Sequence, residues 1–336
     1  MMFAKMMAWV RPSVDSTVSL PHDRWSPVEV AFWVAPVAAF FLLPGYLVLG
    51  SQIFVTALCA LSLDLILGYA GIVSLGHAAF FGIGAYTAGL LAAHGWGEPL
   101  SGLLAGAVLA AAVGFLVSFL VVRGNDLARL MVTLGIGLVL YEAANKADSI
   151  TGGVDGLSGV TMGKLLGVFD FGVNGKTAYV YSLIVLFLVF VVMRRVVNSP
   201  YGLALRGLRE GAGRMPALGV SIRKLQVTAF TAAAGIAGVA GALLTQTTQF
   251  VGLDVLGFPR SAELLIMLVF GGAGRLYGAV VGATVFMVAQ EALSRLSATY
   301  WQFWLGLMLV VIVLFARGGI MGGIERLRAR LRRRRT

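Results

Sequence analysis

Apolar positions along this chain gather into long runs separated by short polar, glycine or proline punctuation. Ten runs stand out, over 29–49, 51–70, 77–94, 100–122, 128–145, 177–196, 224–246, 261–273, 278–294 and 300–316. Most come close to the roughly twenty residues that a helix needs to cross a bilayer. They lack the roughly ten-residue alternating segments of an outer-membrane barrel. The pattern therefore predicts an all-α fold, a polytopic transmembrane helical bundle of about ten helices. The stretch 261–294 is too long for one helix and is interrupted by Gly271, Gly272 and Gly274, so it reads as two helices joined by a tight turn that carries Arg275.

Charge then orients the bundle. An even number of crossings puts both termini on one side. Of the 26 Lys and Arg residues, 15 lie in two places: seven in the loop 194–224, against the single acid Glu210, and eight in the tail 317–336. The positive-inside rule places both segments in the cytoplasm, together with the short turn 123–129. The segment 146–176 balances Lys146, Lys164 and Lys176 against Asp148, Asp155 and Asp170 and falls outside. Three regions result: a cytoplasmic or interfacial lead-in over 1–27, a transmembrane domain over 28–316 and a basic cytoplasmic tail over 317–336. The opening MMFAKMMAWV is too short and too weakly apolar to read as a signal peptide.

Composition agrees with a life in lipid. Hydrophobic residues make up 59% of the 336 and charged residues 12%, about half the roughly 25% charged fraction of a soluble domain. The net charge of +11 is concentrated beside apolar helices, so it points to anionic lipid and not to nucleic acid. Cys59 stands alone, which leaves no disulfide to argue. The 44 glycines fall largely inside the apolar runs, where small residues let helices approach closely. Gly278 and Gly282 form one ridge, Ala78, Gly82, Ala85 and Gly89 a second, and Ala234, Gly238 and Ala242 a third. Ridges in both halves hint at an internal duplication.

The loop 194–224 is more elaborate than a turn requires. Ser199 can cap a helix that has Pro200 at its first position. On that helix Tyr201, Leu205 and Leu208 share an apolar face, and Arg206 and Arg209 lie together on another. Gly211 and Gly213 end it, and a second short helix is expected from Pro216 to a stop at Gly219. Two short helices joined by a glycine turn form a rigid knob, a docking platform for something soluble. An amphipathic segment lying on headgroups is the simpler alternative.

A few polar residues sit inside the apolar runs. Asp64 either lines a pathway or, near the cytoplasmic end of its span, bonds to the irregular stretch after it. Ser74, Gly76 and His77 lie at a glycine-rich bend where His77 opens the next helix, with Ser74 expected to cap the turn before it and His77 to hydrogen bond across the bend. Glu142, Glu263 and Glu291 are expected near span ends. No GxxxxGK[ST] phosphate loop occurs and no His/Cys spacing suits zinc, so the chain is expected to bind no cofactor or metal and to draw its energy from elsewhere. No nucleophile elbow or paired carboxylates point to an enzyme.

Five stretches together resemble one family. They are LSLDLILGYAGIVSLGHAAFFGIGAYTAGLL from Leu61, TGGVDGL from Thr151, SPYGLALRGLRE from Ser199, ALGVSIRKLQVTAFTAAAGIAGVAGALL from Ala217 and SAELLIMLVFGGAGRLYGAVVGA from Ser261. The chain resembles the LivM-type permeases of branched-chain amino acid ABC importers, over most of residues 50–320. The resemblance implies an inner-membrane transport subunit working with a second, LivH-like permease, two cytoplasmic ATPases that hold the ATP, and a periplasmic binding protein. It makes 194–224 the ATPase-coupling segment, with Arg206, Arg209, Glu210 and Gly219 on matching positions. The chain departs from the family pattern at Asp64, where Asn is usual, at Gly211 and Gly213, and around Gly135 to Leu138, where an acidic residue is absent. Related permeases carry urea, short amides or aromatic acids, so those substrates stay open. So does a proton-coupled transporter that uses Asp64 and His77.

Overall fold

The computed structural model describes residues 26–172, 174–296, 300–315 and 319–323. The predicted lead-in over 1–27 and the basic tail over 317–336 lie almost wholly outside the described residues. Among those, ten helices answer the ten apolar runs: α1 (Pro27–Leu42), α2 (Leu47–Asp64), α3 (His77–Ala93), α4 (Pro99–Val121), α5 (Asp126–Lys146), α6 (Lys176–Val197), α8 (Ile222–Thr248), α9 (Phe258–Gly271), α10 (Leu276–Leu296) and α11 (Trp301–Phe315). Helix α7 (Pro200–Gly211) lies in the basic loop. The described residues hold no strands, only the isolated bridges Leu157–Val251 and Leu165–Phe169. The chain divides into two compact units, Met1–Ala38 and Ala39–Thr336. In the first, Pro27 starts α1 and Glu29 accepts from Ser26 N at 3.1 Å. Helices α2 to α11 all belong to the second.

Length separates these helices into two kinds. Six are long and apolar enough to cross a membrane alone: Pro44–Tyr69 (α2 with its flanking turns), α4, α5, α6, α8 and α10. The short helices α3 and α9 have 17 and 14 residues, and at about 1.5 Å per residue α9 reaches only about 21 Å of a roughly 30 Å hydrocarbon core. Each is preceded by irregular backbone, 70–76 before α3 and 249–257 before α9. Most of that backbone is buried, including Ile72, Ser74 and Gly76 on one side and Val251, Val255 and Gly257 on the other. Non-helical backbone survives at membrane depth only when protein surrounds it. Some of the ten predicted crossings are therefore made by a short helix plus an irregular segment.

The order of long helix, buried break, short helix and long helix occurs twice, in 47–121 and in 222–296. Packing repeats the same order: α8 lies along α3 and α4, α2 lies along α9 and α10, and α2 and α8 pack on each other. Four crossings, α3 to α6, lie between α2 and α8, so α2 and α8 run in opposite directions and the two halves are inverted, an arrangement common in transporters. The duplication hinted at by the small-residue ridges is thus visible in the architecture.

Those ridges are where backbones meet. A Cβ on Gly84 would strike the Gly238 carbonyl, and one on Gly238 would lie 2.5 Å from Ala110 Cβ. Gly82 packs on Leu256, and a Cβ on Gly89 would stand 2.9 Å from Leu157 Cδ2. In the other half, Gly278 faces the carbonyls of Gly271 and Gly272, and a Cβ on Gly282 would strike the Met267 carbonyl. Replacing Gly282 by Val should destabilise the detergent-purified chain by about 1–3 kcal/mol, the usual cost of overpacking, read as a lowered thermal midpoint. Gly135→Ala is the control, because nothing lies within 4 Å of a Cβ there, and its midpoint should not fall.

Candidate coupling site and the polar seam behind it

Helix α7 starts as its sequence predicts, with Pro200 at the first position, and Leu205 and Leu208 are 0% and 4% exposed. Gly202 is required beneath it, because a Cβ would strike the Val197 carbonyl at the end of α6. Tyr201 reaches α8, its hydroxyl 2.9 Å from Thr228 Oγ1. Burial pushes the Tyr201 phenol up and the Thr228 bond only partly opposes it, so this group stays a neutral hydrogen-bonding hydroxyl. Two expectations need correction. Ser199 does not cap α7: its hydroxyl donates to Val196 O at 2.6 Å, satisfying a carbonyl that the end of α6 leaves without a helical partner. The second short helix is a single 3₁₀ turn, Pro216–Leu218, closed by Gly219 at φ +76°, because three residues are too few to support an α-helix.

The arginines of α7 turn toward the chain's own core. Arg206 lies over the Tyr69 ring at 5.4 Å, and Arg209 Nη1 donates to Gly68 O. Both partners belong to a π turn, Leu65–Tyr69, that continues α2. Widening the helix there changes which carbonyls find an intrahelical amide, and Arg209 takes up that of Gly68. Asp64, one turn earlier, is fully buried, and its Oδ1 accepts from Gly274 N at 2.7 Å. Gly274 sits at φ +83° in the turn between α9 and α10, and a Cβ there would lie 2.6 Å from Arg209 Nη1. At Gly68 a Cβ would strike both Asp64 Oδ1 and Gly274 N. Three elements, α7, the π turn and the α9–α10 turn, thus meet at one point. Glu210 is exposed beside it, and Gly219 closes the loop on the far side.

A second polar seam lies at the break before α3. His77 is buried, with Nε2 2.7 Å from Ser62 Oγ. Ser62 donates to Cys59 O at 2.6 Å, so the proton belongs on Nε2 and Nδ1 is left as an acceptor without a partner. Ser74 does not cap the turn before α3, since its hydroxyl has no partner, and Gly76 stands at the cap position of the helix. The amides are met from elsewhere. Ser261 Oγ of α9 accepts from Ala78 N at 3.0 Å, and Thr133 Oγ1 of α5 accepts from Leu75 N at 3.2 Å. Gly76 lets α5 approach, since a Cβ would strike the Thr133 carbonyl. Asp64 and His77 therefore serve different junctions, and no hydrogen bond joins them.

Another charged pair escaped the sequence reading. Glu263, expected near a span end, is bound by Arg260 at 3.1 Å, and Arg260 also reaches Thr56 in the middle of α2 at 3.3 Å. The available signal was that Arg260 is the only basic residue between Lys224 and Arg275 and stands three positions before Glu263 on the same helix. Among the described residues no cluster of His, Cys, Asp and Glu could hold a metal ion. For Asp64, Asp64→Asn keeps an acceptor for Gly274 N and should leave the thermal midpoint near wild type. Asp64→Leu strands that amide and should cost about 1–3 kcal/mol, measured by the same unfolding assay.

Known sequences match this chain over most of its length. The family described as "Branched-chain amino acid transport system / permease component" matches residues 46–315. The high-affinity branched-chain amino acid permease LivM of Escherichia coli is 31% identical over 87% of this chain and 74% of its own length. LivM of Salmonella typhimurium is 31% identical over 86% and 72%. LivH of Escherichia coli is 26% identical over 80% of this chain and 92% of its own. No solved structure matches significantly. With a family match over most of the bundle and relatives above 30% identity, the chain is a multi-pass membrane protein that belongs to the branched-chain amino acid transport permeases.

Proposed function

We propose that this chain is a permease subunit of an ATP-driven importer for branched-chain or related amino acids, seated in a bacterial inner membrane with both termini in the cytoplasm. Its partners are a LivH-like permease, two cytoplasmic ATPases that bind the ATP, and a periplasmic binding protein. The observation that carries the reading is the clamp of α7 on the bundle. One face of α7 is fixed by Leu205, Leu208 and the Arg209 to Gly68 bond, while Leu203 on α7 and Leu218 in the turn beyond it are 45% and 74% exposed. A lipid-lying helix has no need of that bond, whereas a soluble motor that pushes on α7 requires a rigid attachment behind it.

The attachment also gives a route for the movement. A displacement of α7 is transmitted by Arg209 to the π turn of α2, and by the Asp64 to Gly274 bond to the turn between α9 and α10. Helices α2, α9 and α10 form the inverted counterpart of α8, α3 and α4, so moving one set against the other changes which side of the bundle is open. Helices α6 and α8, which flank the loop, move with it.

Arg209→Glu removes the donor to Gly68 O and sets a carboxylate beside Asp64. In vesicles holding the complete importer, this variant should hydrolyse ATP at a rate close to wild type while leucine uptake per ATP falls about tenfold or more, the scale of losing a charge-assisted hydrogen bond. Size-exclusion chromatography should show the complex assembled. Wild-type coupling in that variant would sink the assignment of the loop.

A further inference from the structure

Arg260 and Glu263 form an ion pair in an unusual place. Helix α2 runs with its flanking turns from Pro44 to Tyr69, and Thr56 stands about 18–20 Å from either end at about 1.5 Å per residue. Arg260 Nη2 lies 3.3 Å from Thr56 Oγ1, so the guanidinium sits at the middle depth of the bundle. Its carbon is 5.7 Å from the centre of the buried Phe81 ring, and Nη1 lies 3.1 Å from Glu263 Oε2. Yet the pair is not sealed, since the side chains are 24% and 35% exposed. Partly exposed charges at mid-depth are costly against lipid, so they face protein or a water-filled path. The neighbouring Ser261 binds Ala78 N, which brings the starts of both short helices, α3 and α9, to the same level. The positive ends of their dipoles add to the preference for an anionic group beside Arg260.

We propose that Arg260 and Glu263 form a translocation subsite for the zwitterionic head of an α-amino acid, the guanidinium taking the carboxylate and Glu263 the ammonium. This rests on the importer reading above and deepens it. The pair and the ligand head are each neutral overall, so the ligand exchanges one ion pair for two without leaving a buried charge uncompensated. A planar guanidinium offers a carboxylate two parallel hydrogen bonds, and Thr56 and Phe81 hold it in place. A neutral amide or urea has no use for two opposed charges here, which separates α-amino acids from the other cargoes carried by related permeases. The side chain of the amino acid makes no demand on the pair, so selection among amino acids is left to other surfaces.

The test uses the complete importer in vesicles and the double variant Arg260→Gln/Glu263→Gln, which removes both charges together and strands neither. Three quantities are read: assembly by size exclusion, ATP hydrolysis stimulated by leucine-loaded binding protein, and radiolabelled leucine uptake. A subsite predicts an assembled complex whose stimulated hydrolysis persists while uptake per ATP falls about tenfold or more, since paired charged hydrogen bonds are lost. An ion pair that serves only the fold or the seam with the second permease predicts near-normal uptake in the double variant, and that result overturns the proposal. Loss of assembly in the double variant, with Arg260→Lys also assembling and transporting normally, overturns it as well, because then only the charge matters for packing. If the wild-type complex moves no leucine at all, the importer reading fails instead.

Discussion

Inside a bilayer the backbone has no water to bond with, so every interruption of a helix must be answered by another part of the protein. This chain interrupts its helices repeatedly, and its polar side chains are placed to meet the freed groups. Arg209 takes the Gly68 carbonyl, Asp64 the Gly274 amide, Ser261 the Ala78 amide and Thr133 the Leu75 amide. Gln246 of α8 donates to Pro99 O at 2.6 Å at the start of α4 and accepts from Tyr181 of α6 at 2.9 Å. Thr245 donates to Ala85 O across to α3 at 2.8 Å. These bonds join elements far apart in sequence, so the same constraint that permits the breaks also ties the bundle together.

Close backbone contact is the second condition for this architecture. With lipid on the outside, helices gain little from hiding apolar side chains from one another and depend on packing and interhelical bonds. Glycine at Gly84, Gly238 and Gly282 removes the atoms that would hold the backbones apart. The inverted order of the two halves then gives two similar groups around the α2–α8 contact. Each group is close-packed within itself, as the proposed movement of one against the other requires.

The basic loop and the Arg260–Glu263 pair both contact helix α2. Helix α2 carries the π turn clamped by Arg209 at one end and Thr56, in contact with Arg260, at its centre. The α9–α10 unit touches both, through Gly274 at its turn and Arg260 at its beginning. The proposed movement at α7 would therefore reach Arg260 and Glu263 through helices.

The order of residues alone establishes a helical membrane bundle, the positions of most of the described apolar helices to within a few residues, and a short helix that starts at Pro200 with Leu205 and Leu208 on one apolar face. These are local consequences of apolar run length and helical spacing, which each segment carries regardless of its neighbours. Folding in three dimensions was needed to reveal that Ser199 closes α6 instead of capping α7, that Asp64 and His77 belong to separate junctions, and that Glu263 pairs with an arginine that reaches the middle of α2. Each depends on which distant backbone group comes within hydrogen-bonding reach. Residues such as Asp64 and Gly274, or Ser261 and Ala78, stand some two hundred positions apart, and no local pattern states that their helices will meet.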